Sequence, residues 1–203
     1  MLAYHIYHKL RERWISLHTR MAAKTLGAYG GGGRIESPVT FANPERLFIG
    51  RDVIICAGSM ISCVTEWGNH QGYEGEIHIG DGVEIRENVQ ISAITKLIIG
   101  DYVGIARNCL ISDHTHSNRG PGTNLMEGGL TGPKPVVIED NCFIGANVMI
   151  SPGVRIGHHS TVGFGSLVTK SVPPCTVVMG SPARVISRFD VDSGQWVISR
   201  RKL

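Results

Sequence analysis

The chain has 203 residues, with 26 Gly, 42% hydrophobic and 18% charged side chains, and 20 basic against 17 acidic groups for a formal net charge of +3. Glycine at this level disfavours a helical bundle, because each interior Gly costs a helix about 1 kcal/mol relative to Ala, and the apolar share excludes a disordered linker. The near-balanced charge argues against nucleic acid as a partner, and no apolar run reaches the ~18 residues that a bilayer span requires.

Residues 2–26 read as a helix. Ile6, Leu10, Trp14, Leu17 and Met21 recur at helical spacing and form one apolar stripe, while Lys9, Arg11, Arg13, Arg20 and Lys24 stand against Glu12 alone. Such a helix either packs on the following domain or on a partner subunit, with its basic face solvated, or makes a peripheral contact with an anionic membrane surface. Gly30–Gly33 reads as a hinge, so residues 1–30 form an N-terminal unit. Without a following P-loop Lys, this glycine run carries no phosphate signature.

Beyond the hinge the period is six. Aliphatics fall at Ile49, Ile55 and Ile61, at Ile79, Ile85 and Ile91, at Ile99, Ile105 and Ile111, and then without a break at Ile138, Ile144, Ile150, Ile156, Val162 and Val168. Gly mostly follows the first member of each triplet and Ser or Thr the third. A mark recurring only at every third hexad means that three hexads close one triangular turn. Ile35, Phe41 and Leu47 form an imperfect first turn. Interruptions fall between triplets, at 67–78, 97–98 and 117–137. About six turns at ~4.8 Å make a prism roughly 30 Å tall. The aliphatics should point inward with a small residue four places later, which makes Cys109 and Cys142 core thiols, and Gly, Asn or Asp should take the corners where φ is positive. The prism covers 31–188, leaving 189–203 as a C-terminal tail. Five cysteines with no C-x-x-C and no unbroken apolar signal segment lead us to expect a reducing, cytoplasmic setting.

Three segments carry a family resemblance. The repeated [Ile/Val]-Gly-x-x-small-x hexads resemble the left-handed parallel β-helix of the hexapeptide-repeat acyltransferases. Val162-Gly-Phe-Gly-Ser-Leu-Val-Thr-Lys-Ser-Val-Pro-Pro with Met179-Gly-Ser-Pro-Ala-Arg-Val-Ile186 is similar to that family's coenzyme A segment. Ile91-Ser-Ala, Ile99-Gly-Asp-Tyr-Val-Gly-Ile-Ala and Ile111-Ser-Asp-His-Thr-His116 resemble its polysaccharide O-acetyltransferase branch. The resemblance implies an all-β fold, a left-handed parallel β-helix preceded by a short α-helix. It also implies a homotrimer with active sites between subunits, and transfer of acetyl from acetyl-CoA to a sugar or sugar-polymer precursor.

Acyl transfer to a hydroxyl needs a base for the alcohol proton, and His suits the task because its unperturbed pKa is about 6.5. Counting from Ile111, the last hexad position before the long loop is His116, where the family places its catalytic His; His114 sits at a corner and suits acceptor binding or orientation of His116. By resemblance Gly145, Phe164, Thr169, Lys170 and Arg184 should line the coenzyme A groove, with Phe143 as a further aromatic surface. Where the family has a second basic residue three places after the Arg, this chain has Ser187, with Arg188 one step on. The acceptor contacts expected are Ser92, Asp113, Trp67 and Tyr73, with His70 and His78 in the same first insertion; an aromatic loop packed on a neighbouring subunit is the alternative for Trp67 and Tyr73. No metal is expected, since the ligand triad of the related zinc proteins is not evident. Alternative readings are an amino-sugar N-acetyltransferase or antibiotic acetyltransferase, or a non-catalytic, metal-binding hexapeptide scaffold.

Overall fold

The computed structural model describes residues 2–198 apart from 69, 119, 121–123 and 125–126. A helix, α1 (Leu2–Ala23), precedes a body built from parallel sheets. The chain visits three sheets in strict rotation. Sheet I holds Ala28–Gly31, Leu47–Arg51, Glu76–Ile79, Lys96–Ile99, Val136–Ile138 and Arg155–Ile156. Sheet II begins with Arg34–Ile35 and sheet III with Thr40–Ala42, and both gain one strand in every later round.

Register follows the repeat. Ile55 pairs with Ile85, Ile85 with Ile105, Ile105 with Ile144 and Ile144 with Val162, so both long insertions loop out without displacing the coils above them. Every hexad aliphatic named above is at most 3% exposed. Cys109 and Cys142 are buried at the small inward positions. The corners carry stacked polar ladders. Asp81 Oδ1 accepts from Arg51 N–H at 2.7 Å, Asp101 Oδ1 from Asp81 N–H at 2.7 Å, and Asp140 Oδ1 from Asp101 N–H at 2.9 Å. At the next corner Asn88, Asn108 and Asn147 take left-handed backbone (φ 58, 60 and 58°), which a short amide side chain tolerates.

Several expectations need correction. The first turn is Tyr29, Ile35 and Phe41, not Ile35, Phe41 and Leu47, because Tyr29 pairs with Ile49 in sheet I. Gly30 and Gly31 therefore belong to a strand rather than to a hinge, and the boundary at residue 30 falls inside the first coil. The interruptions are also displaced: Leu47, Ile77, Leu97 and Val136 pair in a row as extra buried residues of sheet I. The chain thus leaves the prism at 64–75 and 113–135. His78, read as part of the first insertion, lies in the sheet I strand Glu76–Ile79, stacked on Phe48 with ring centroids 4.7 Å apart.

The boundary at 188/189 falls within the strand Ala183–Asp190, which joins Thr176–Gly180 and Gln195–Ile198 as an antiparallel extension of sheet II. Residues 199–203 of the expected tail lie outside the described residues.

At the other end α1 covers the first strand of sheet II. Thr19 Oγ1 accepts from Ile35 N–H at 2.9 Å and lies 3.3 Å from Ile35 O, so one hydroxyl serves an edge that would otherwise stay open. The buried face is Ile15 and Thr19. The stripe of Ile6, Leu10, Trp14, Leu17 and Met21 faces away from the prism, each residue 50–61% exposed.

Candidate active site

The edge where sheet III hands over to sheet I gathers most of the candidate residues. Trp67 and Tyr73 leave it in the second coil, Ser92 ends the third, Asp113, His114 and His116 leave the fourth, and Thr169 and Lys170 turn the sixth. These residues share one edge because both long insertions occur at this corner.

Asp113 is the anchor. Its side chain is 0% exposed, and its carboxylate accepts from the backbone N–H groups of Ile94 (2.9 Å), Thr95 (2.8 Å) and Lys96 (3.0 Å) and from Thr95 Oγ1 (2.7 Å). His114 Nδ1 lies 2.8 Å from Asp113 Oδ1 and 3.2 Å from Ser112 Oγ. Burial pushes the Asp113 carboxyl up, but the hydrogen bonds from His114, Ile94 and Thr95 outweigh it and hold the group below the usual carboxylate range. A carboxylate can only accept, so Nδ1 of His114 carries the proton of this contact. With its acceptor capacity engaged and no exposed surface, Asp113 cannot contact an acceptor sugar as expected; it fixes the orientation of His114 instead.

His116 is held differently. Its backbone pairs antiparallel with Leu130 on the returning limb of the long loop, its side chain is exposed, and its ring meets Trp67 edge to face at 5.3 Å and 64°. The first insertion is a small hairpin, Glu66–Trp67 against His70–Gln71, that grips the long loop. Tyr73 Oη accepts from Leu130 N–H at 2.9 Å and lies 3.3 Å from Leu130 O, and His70 Nε2 donates to Glu127 O at 2.7 Å. Tyr73, expected as an acceptor contact, thus has its hydroxyl committed to the chain's own loop. Trp67, 40% exposed, keeps a free aromatic surface beside His116.

The five residues expected to line a coenzyme A groove are divided. Thr169 and Lys170 are exposed on the histidine edge. Gly145 and Phe164 turn the adjacent edge, from sheet II to sheet III, where Phe164 is 72% exposed. Arg184 sits on the antiparallel extension of sheet II, its guanidinium donating to Ala183 O at 2.9 Å. Gly145 has a packing reason of its own, since a Cβ there would fall 2.7 Å from Phe164 N and 2.8 Å from Val162 O. Within one chain these groups line two edges, not one groove.

The periodicity did not reveal everything. Thr95 and Ser112 complete the Asp113–His114 arrangement; the recurrent hydroxyl after the third hexad was the signal for Ser112, whereas nothing distinguished Thr95. Lys134, exposed on the histidine edge, donates its N–H to Asp113 O at 2.8 Å and accepts from Gly153 N–H at 2.9 Å. On sheet II a depression of about 270 Å³ is lined by Phe143, Arg86, Arg107, Glu84 and Glu87. Its polar members face outward, where the hexad imposes no pattern.

Cys109 and Cys142 are poorly suited to nucleophilic attack. Burial pushes the Cys142 thiol up to about 11, and Cys109 is raised by the same cause.

Comparison with known proteins gives the arrangement a context. The family described as "Bacterial transferase hexapeptide (six repeats)" matches residues 135–170. A galactoside O-acetyltransferase of Escherichia coli is 40% identical over 118 residues, 58% of this chain and 57% of that one. An E. coli protein provisionally named a colanic acid biosynthesis acetyltransferase is 32% identical over 122 residues, covering 53% of this chain and 67% of its own length. The solved structure of a galactoside acetyltransferase in complex with coenzyme A superposes with a TM-score of 0.55 at 25% identity, over 91% of this chain and 76% of that one. The chain spans about half the length of the galactoside acetyltransferases that it matches.

Proposed function

This chain belongs to the bacterial hexapeptide-repeat transferase family, and from that premise we propose that it transfers acetyl from acetyl-coenzyme A to a sugar hydroxyl of a surface-polysaccharide precursor. The observation that carries this reading is the exposed imidazole of His116 against Trp67, on the prism edge that also presents Thr169 and Lys170. The family resemblance supplies the donor, and the relative provisionally named for colanic acid biosynthesis supports the acceptor class. On the same reading the coil winds left-handed, and the five free cysteines suit a cytoplasmic setting.

We assign His116 as the general base because its side chain is exposed, whereas that of His114 is largely covered. It takes the hydroxyl proton as the sugar oxygen attacks the thioester carbonyl. The tetrahedral intermediate collapses with breakage of the carbon–sulfur bond, and the coenzyme A thiolate leaves and recovers a proton. Transfer is direct, since the buried thiols at Cys109 and Cys142 stay protonated. Trp67 gives the sugar an aromatic face, and Asp113 with His114 stiffens the base of the loop that bears His116. Lys170 and Arg184 suit the phosphates of coenzyme A. The family resemblance implies a homotrimer with sites between subunits, and the separation of Gly145, Phe164 and Arg184 from the histidine edge within one chain is in keeping with a donor groove shared by neighbouring copies.

The test is acetyl-coenzyme A turnover, followed with a thiol reagent, against sugar-nucleotide, lipid-linked and amino-sugar acceptors, with the product mass recorded. An acetyl ester on a sugar hydroxyl is the expected product. Exclusive amide formation would replace this reading with N-acetyl transfer, and a chain that binds no coenzyme A would end it.

A further inference from the structure

Helix α1 has two occupied functions and one unoccupied surface. Its inner face, Ile15 and Thr19, seals the first strand of sheet II, and Arg11 joins Glu36 at 3.3 Å. Its outer face carries Ile6, Leu10, Trp14, Leu17 and Met21, with Tyr7 beside them at 63% exposure. At ~100° per residue, Lys9, Arg13 and Arg20 fall together along one margin of that stripe, and Lys24 follows in the turn just after the helix. All four are exposed, and among the described residues none is in an ion pair. The helix's one acid, Glu12, lies on the side toward the prism and pairs with Arg11 and Arg34. The outward surface is therefore an apolar ridge roughly 22 Å long, edged by three cations with a fourth just past its end, and carrying no anion.

That combination selects its occupant. An apolar face flanked by Lys and Arg, with a Trp on the ridge, is suited to lie in the headgroup plane of a bilayer, where anionic lipids neutralise the margin and the ridge enters the acyl boundary. A second copy of the same helix could cover the ridge but would offer the cations no anion. No helix of the described residues is long and apolar enough to cross a membrane, so contact is by adsorption. We propose that α1 docks this protein on the surface of an anionic lipid bilayer, with Trp14 at the centre of the buried ridge. The proposal is independent of the acyl-transfer reading, because it requires only the outer face of α1.

The experiment is co-sedimentation of the full chain with phosphatidylcholine vesicles, with and without phosphatidylglycerol. Binding is expected only where phosphatidylglycerol is present, and should weaken steeply as salt shortens the screening length. Arg13→Glu with Arg20→Glu should lower the partition about tenfold or more, and Leu10→Ser with Trp14→Ser should do the same. None of these side chains belongs to the buried inner face, and unchanged circular dichroism would verify that the variants stay folded. In a variant with Trp67→Phe and Trp196→Phe, the remaining Trp14 emission should shift to the blue on addition of the anionic vesicles. Equal binding to both vesicle types, or to neither, would overturn the proposal. So would a Leu10→Ser, Trp14→Ser variant that sediments normally with vesicles but has a smaller particle mass by light scattering, because the ridge would then be a contact between copies.

Discussion

The indole of Trp67 meets the imidazole of His116 edge to face, ring centroids 5.3 Å apart, although the two residues leave the prism two coils apart. The contact places an aromatic surface beside the proposed base and restricts the base's ring. Aromatic pairs of this kind are worth about 0.5–1.5 kcal/mol beyond their buried area. Trp67→Ala should therefore lower kcat/KM for the acceptor up to about tenfold, with the KM for acetyl-coenzyme A unchanged, and Trp67→Phe should recover most of the loss. Steady-state kinetics with each substrate varied in turn would check this.

The hairpin holds the long loop through Tyr73. Removing the hydroxyl in Tyr73→Phe leaves Leu130 N–H without its 2.9 Å partner. A net hydrogen bond of about 1 kcal/mol corresponds to roughly fivefold faster exchange of the Leu130 amide. Hydrogen exchange should show this loss at Leu130 while the sheet amides around Ile105 stay protected.

Asp113 supplies a pH dependence whose sign follows from its environment. Its carboxyl is buried, which raises its pKa, yet the donors around it lower it further, so the folded value lies below the usual range. Its contribution to stability is thus complete above the unfolded value of about 3.9 and is lost as the pH falls through the folded one. Asp113→Asn should lower stability at neutral pH by about 3 kcal/mol and flatten the acid limb of a urea-midpoint series between pH 5 and 2. An acid limb as steep as that of the parent chain would show that another carboxylate controls it.

Much of the fold was legible because from the second turn onward the inward hexad position holds only aliphatics, and one chain then carries enough of them to reveal both the period and its threefold grouping. The pairing of Ile55, Ile85, Ile105, Ile144 and Val162 follows from that pattern alone. The insertions were misplaced by two to four residues for a physical reason. Ile77, Leu97 and Val136 extend sheet I strands with the alternation of a strand, so the hexad count assigns them to the loop. The helix and its apolar stripe were legible, but not which face the prism takes: that is the narrower face of Ile15 and Thr19, chosen by a hydrogen bond to Ile35 that no periodicity reports. At the site, the types and order of Trp67, His114 and His116 were visible, whereas the commitment of Asp113 and Tyr73 to backbone partners was not, since those partners lie on other coils.

Gly145 separates packing from donor binding. The backbone of the next coil leaves no room for a Cβ, so Gly145→Ala should cost about 1–3 kcal/mol, seen as a lower urea midpoint. That loss should appear with or without coenzyme A. A variant of parental stability that fails to bind coenzyme A would instead make Gly145 a donor contact first.

The central claim is that His116, and not His114, removes the acceptor proton. Its most direct measurement is turnover of His116→Ala and His114→Ala side by side, with coenzyme A affinity determined for each. The account expects His116→Ala to lose roughly 10²–10⁴-fold in kcat with coenzyme A affinity nearly unchanged, and His114→Ala to lose far less, mainly through the acceptor KM. A nearly silent His116→Ala beside an inactive, folded His114→Ala would contradict it and transfer the role to the imidazole held by Asp113.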